Sequence, residues 1–165
     1  MAKYNGQLLQ ATIQPTFKSA GALYTIVGSV VRRLSIYELD CGQSTINTGT
    51  DCQVLWDITR MTTTSLLTGT AFLPNNLDGS DITVAQATFI QNLQSESTPV
   101  PAAGSGLSLL SPPINQRGTF RWRALDDGDN FIIPATTQAG VVVRVLSPNL
   151  TGTGNTALGS VFWTE

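Results

Sequence analysis

Gln53-Val54-Leu55-Trp56-Asp57-Ile58-Thr59-Arg60-Met61-Thr62 places Val54, Trp56 and Ile58 on one side of an extended chain and Leu55, Asp57 and Thr59 on the other. A period of two, carried by β-branched and aromatic residues, is the pattern of a half-buried strand. Arg117 to Leu125 repeats it, with Phe120, Trp122 and Ala124 predicted inward and Thr119, Arg121 and Arg123 outward.

The neighbouring segments read in the same way. Gln7 to Gln14 is a predicted strand closed by Pro15, and residues 1 to 6, polar and ending in Gly6, are expected to form a flexible N-terminal arm. Ala22 to Leu39 is the longest β-rich stretch. Gly28 marks a bend or bulge within it, and Arg32, which breaks the apolar face, is expected at a strand end with its head in water. Phe131 to Ile133, Val141 to Ser147 and Leu158 to Thr164 add further strands.

The pattern breaks between Thr63 and Thr98, where Pro74-Asn75-Asn76 and Asp78-Gly79 are turn signals. Ile82, Ala85, Phe89, Ile90 and Leu93 then follow helical spacing, with Ser80 or Asp81 as N-cap. The expected architecture is all-β: one domain over residues 1–165, a jelly-roll-like β-sandwich of about eight strands, with one short helix in a long mid-chain insertion.

Composition narrows the chemistry. Charged residues make up 12% of the 165, against about 25% in an average globular chain, and the formal net charge is -2 with no run of cations. Binding driven by neutralising nucleic-acid phosphates is not expected. No apolar run approaches the roughly 20 residues of a membrane-spanning helix, and Met1 to Gln7 leads into no secretion signal, so a soluble chain made in the cytoplasm is expected.

The chain has no histidine. That removes Ser-His-Asp and Cys-His nucleophile systems and histidine-ligated zinc. A hydrolase would have to use carboxylates alone, and Glu38, Asp40 and Asp57 are its candidates. The competing reading makes them solvated acids on an outer face, and the expectation is a non-enzyme without a cofactor. Asp126, Asp127 and Asp129 are a weak calcium candidate, since calcium takes several loop oxygens, while Asp126-Asp127-Gly128-Asp129-Asn130 reads equally as a turn. Cys41 and Cys52 flank a short polar loop and could be a disulfide or two thiols. Trp56, Trp122 and Trp163 lie in predicted strands, where they either fill the core or form a platform for a sugar.

The C-terminal half carries a resemblance. Leu110-Ser111-Pro112-Pro113-Ile114-Asn115-Gln116-Arg117-Gly118-Thr119-Phe120-Arg121-Trp122, Phe131-Ile132-Ile133-Pro134-Ala135 and Val145-Leu146-Ser147-Pro148-Asn149 resemble small β-sandwich head proteins of tailed bacteriophages, the capsid decoration or cement proteins. The likeness implies a protein made in the host cytoplasm that joins the virion surface. It further implies binding to the major capsid protein and self-association, as a homotrimer, to stabilise contacts between shell subunits. The alternative is a carbohydrate-binding jelly-roll module or receptor-binding virion component, which requires an exposed aromatic in a groove.

Overall fold

A computed structural model describes residues 1–12, 22–45, 53–61, 68–80, 83–95, 108–115, 117–137, 139–146 and 156–165. These hold thirteen strands: β1 Lys3–Thr12, β2 Ala22–Val27, β3 Leu34–Thr45, β4 Gln53–Met61, β5 Thr68–Phe72, β6 Asn75–Asn76, β7 Thr88–Ser95, β8 Ser108–Leu110, β9 Pro113–Asn115, β10 Phe120–Arg123, β11 Phe131–Ile133, β12 Gly140–Leu146 and β13 Thr156–Thr164. No helix occurs among the described residues.

The strands form two antiparallel sheets. The front sheet runs β10-β3-β13-β1-β6, with β11 also on β3, and the back sheet runs β5-β7-β2-β12-β4-β8, with β9 also on β4. The pairing is nested: β1 with β13, β2 with β12, β3 with β10 and β11, β4 with β8 and β9. A long antiparallel hairpin whose successive strand pairs alternate between two sheets is a jelly roll. The mid-chain insertion between β4 and β8 is the tip of that hairpin. It folds back, so that β7 pairs with β2 and carries β5 at the edge of the back sheet, while β6 pairs with β1 at the edge of the front sheet.

One apolar cluster fills the space between the sheets. Val54, Trp56 and Ile58 of β4, and Val141, Val143 and Val145 of β12, face Leu34, Ile36 and Leu39 of β3 and Val161 and Trp163 of β13. The alternation along β4 is thus the core pattern that sequence predicts, and β13, predicted only as a strand, alternates in the same way. β3 departs from it: Ile36 and Leu39 are both fully buried although three residues apart. A register shift against β13 at Tyr37 and Glu38 supplies the extra residue, as a β-bulge does. On β10, Trp122 lies flat against Phe131 of β11, ring centroids 4.1 Å apart, and both pack on the core edge.

Three expectations are corrected. Residues 1 to 6 are not an arm: β1 begins at Lys3, Tyr4 is fully buried, and its ring stacks on Trp163 at 5.9 Å. Six polar-looking residues conceal a strand because only Tyr4 carries its apolar side. Gly6 is inward too, and a Cβ there would lie 2.6 Å from the Phe89 ring; the absent side chain lets β1 and β7 approach.

The short helix is not formed either; Thr88–Ser95 is strand β7. Ala85, Phe89 and Leu93 are spaced by four, which suits a strand face as well as a helix face, and buried Ala87 between exposed Gln86 and Thr88 fits only the strand. Pairing with β2 on one side and β5 on the other decides between them. Ile82 lies outside the described residues.

Third, Val30 to Arg33 do not belong to the strand that follows. β2 ends at Val27, and the chain crosses to the front sheet through exposed Val30, Val31, Arg32 and Arg33 before β3 begins at Leu34. Gly28 starts the crossing where a Cβ would meet the Thr136 carbonyl at 2.7 Å, and the Ser29 hydroxyl accepts from the Val31 and Arg32 amides. Arg32 therefore has its head in water at a strand end, as expected.

Candidate functional site

The three candidate acids do not converge. Glu38 and Asp40 lie on β3 and face away from the core of the front sheet, opposite Arg123 and Arg121 of β10 in register. Arg121 Nη2 is 2.5 Å from Glu38 Oε1, its Nε is 3.7 Å from Asp40, and Arg123 Nε is 3.9 Å from Glu38. The bulge at Tyr37 and Glu38 leaves the Glu38 side chain only 9% exposed, while the arginines stay 63% and 70% exposed. Burial and the neighbouring Glu38 charge raise the Asp40 pKa, against Arg121. Burial and Glu38 likewise raise that of the Tyr37 phenol, against Arg123, and keep it a neutral donor.

Asp57 belongs to the back sheet and is not the solvated acid that alternation suggests. Its side chain is 2% exposed. Alternation does put it on the face away from the core, but that face is covered at its centre, where Thr25, Val142 and Thr59 are buried with it. Arg144, opposite Asp57 on β12, donates through Nε at 2.7 Å and Nη2 at 2.6 Å. Thr59 Oγ1 donates at 2.8 Å, Ser111 Oγ at 3.2 Å, and Ser108 Oγ also donates. Burial pushes the Asp57 carboxyl up, but the hydrogen bonds from Ser108, Thr59 and Arg144 and the Arg144 charge outweigh it and hold the pKa below the ordinary value. Asp57 is thus a fastener between β4, β12 and the β8 return. Glu38 and Asp40 lie beyond the other side of a core about 10 Å thick, so Asp57 flanks no common bond with them.

The remaining candidates separate in the same manner. Trp56 and Trp163 are fully buried and Trp122 is half-buried against Phe131, so none is a free platform. Asp126 closes a turn, its Oδ1 accepting from the Gly128 amide at 2.7 Å and its carbonyl from Asp129 at 3.2 Å. No three acidic, cysteine or histidine side chains gather as metal ligands among the described residues, and Asp126, Asp127 and Asp129 are included in that statement. Cys41 is buried in the core on β3; Cys52 lies outside the described residues.

Two surface features stand out. The first is formed by residues 72–80 with Thr83 and Val84; Phe72 ends β5 at the back-sheet edge, and Asn75–Asn76 is β6 at the front-sheet edge. It is tied down by the Leu77 amide on the Lys3 carbonyl (2.9 Å), by Tyr4 Oη and Asn76 Nδ2 on the Thr83 carbonyl (3.2 and 3.3 Å), and by the Glu165 carboxylate on the Gln86 and Ala87 amides. It nevertheless leaves Phe72, Leu73, Leu77 and Val84 43%, 83%, 48% and 63% exposed. The second is a hollow of about 620 Å³ at one end of the front sheet, with Lys3, Arg33, Arg123 and Tyr37 in its lining. Sequence reading missed both. Leu73 and Leu77, apolar inside a run of turn signals, were a visible hint of the first. The second is assembled from β1, the β2–β3 crossing, β3, β10, β11 and β13, and only the topology brings these together.

Comparison with protein-family models, with curated proteins and with solved structures finds no match to this chain.

Proposed function

We propose that the chain is a virion structural protein, a capsid decoration or cement protein that binds the major capsid protein on the outside of an assembled shell, associates with itself as a homotrimer and stabilises contacts between shell subunits. The observation that carries this reading is the Phe72 to Val84 segment. Four large apolar side chains are held toward solvent on backbone anchored at both sheet edges, although the core beneath is already filled. Exposed apolar groups on an anchored support suit a protein–protein contact. The phage-head resemblance and the charge-poor surface point the same way. The candidate acids are engaged in salt bridges on opposite faces and the tryptophans are packed away, which leaves less support for a carboxylate hydrolase or a tryptophan sugar platform.

The test is co-sedimentation with shells assembled from the major capsid protein of the same virus. The wild-type chain is expected to pellet with shells at a fixed stoichiometry, and Leu73→Asp with Val84→Asp to stay in the supernatant while keeping the wild-type melting temperature. A wild-type chain that remains in the supernatant contradicts the proposal.

A further inference from the structure

We infer that the hollow at the end of the front sheet binds a carboxylate-bearing sugar, a uronic or sialic acid unit. Its volume of about 620 Å³ is within the range of small-ligand sites. Its walls include Lys3 on β1, Arg33 on the β2–β3 crossing, Ser35 and Tyr37 on β3, Arg123 leading into the loop that carries Asn130, and Thr164 on β13. Neither Lys3 nor Arg33 forms a salt bridge among the described residues, and Arg123 reaches Glu38 only at 3.9 Å. Three cationic residues lining one concavity are suited to a single carboxylate, which an arginine can take with two parallel hydrogen bonds.

The rest of the lining selects what bears that carboxylate. Asn130 Nδ2 donates to Ser35 Oγ at 2.8 Å, which fixes both groups on the wall. Half-buried Tyr37 offers an aromatic surface for a sugar ring together with a hydroxyl that stays protonated. Asp126 and Asp127 also line the hollow. They would repel a run of acidic residues in a peptide, yet they are acceptors for the hydroxyls of a sugar with one acid group. Cations, carboxylate acceptors and an aromatic ring in one lining therefore fit a hydroxyl-rich monoanion. This site is separate from the Phe72 to Val84 surface and does not depend on shell binding.

Calorimetric titration of the full chain with sialyllactose and with trigalacturonate, and with lactose and a neutral galactose trimer as counterparts, tests the inference. Saturable binding of an acidic sugar is expected, with its neutral counterpart at least about tenfold weaker and the Lys3→Ser, Arg33→Ser double variant about tenfold weaker at unchanged melting temperature, as loss of charge-assisted hydrogen bonds predicts. Three results would overturn it: no saturation by either acidic sugar, equal affinity in the double variant, or equal displacement by poly-glutamate, which would show attraction by charge alone.

Discussion

Asp57 carries a carboxylate on the outward side of a strand, where hydration is the usual reason for a charge, and yet five hydrogen-bonding contacts from four residues meet it there. Removing one partner of such a buried pair leaves the other uncompensated, so Asp57→Ala is expected to lower unfolding free energy by about 3 kcal/mol or more. Replacing Asp57 and Arg144 together by Val and Met should cost less than Asp57→Ala alone; urea titrations of the three proteins measure this. The same pair gives stability a pH dependence of definite sign. The folded pKa lies below the unfolded one, so this contribution is fully present above the ordinary carboxylate pKa of about 4 and is lost as pH falls through the folded value. Asp40, raised in the fold, acts in the opposite sense but is 39% exposed and weaker. Urea midpoints between pH 2 and 6 should therefore fall on acidification and flatten in the double variant. The sequence around Asp57 assigns its face correctly. It does not reveal that the face is covered, because alternation records which side a residue takes and not what lies over that side.

Strands are legible where both sides of the pattern are expressed, as on β4 and β10, and obscure where a neighbour supplies what the local sequence lacks. β7 is the clearest case, since a spacing of four satisfies both periods and pairing with β2 and β5 makes the choice. β1 is another, because its inward positions include a glycine whose significance is the Phe89 ring above it. Gly6→Ala must displace that ring and is expected to destabilise by about 1–3 kcal/mol, the range for overpacking a filled core, with thermal unfolding as the measurement. The insertion is held at the other end by Glu165, whose carboxylate accepts from the Gln86 and Ala87 amides at 2.8 and 3.0 Å and from Trp163 Nε1 at 3.1 Å. Glu165→Ala should accelerate hydrogen exchange at Gln86 and Ala87 while the β3–β13 amides keep their protection, so that the insertion loosens before the sandwich does.

For the whole molecule, nested pairing of β1 with β13 through β4 with β9 makes a jelly roll out of one long hairpin, and the irregular spacing of turn signals anticipates this architecture without giving the order of strands. The tip of the hairpin is bent back over both sheet edges, and this places four apolar side chains in solvent on an anchored support. Exposed apolar groups on such a support suit a protein–protein contact, and assembly on a shell is the proposal drawn from them. Its most direct test is the disruption temperature of capsid shells, followed by light scattering, with and without a stoichiometric amount of the folded chain. Shells carrying the chain should come apart at a higher temperature than bare shells, with the gain lost for the Leu73→Asp, Val84→Asp protein; identical disruption temperatures with and without the wild-type chain would contradict the account.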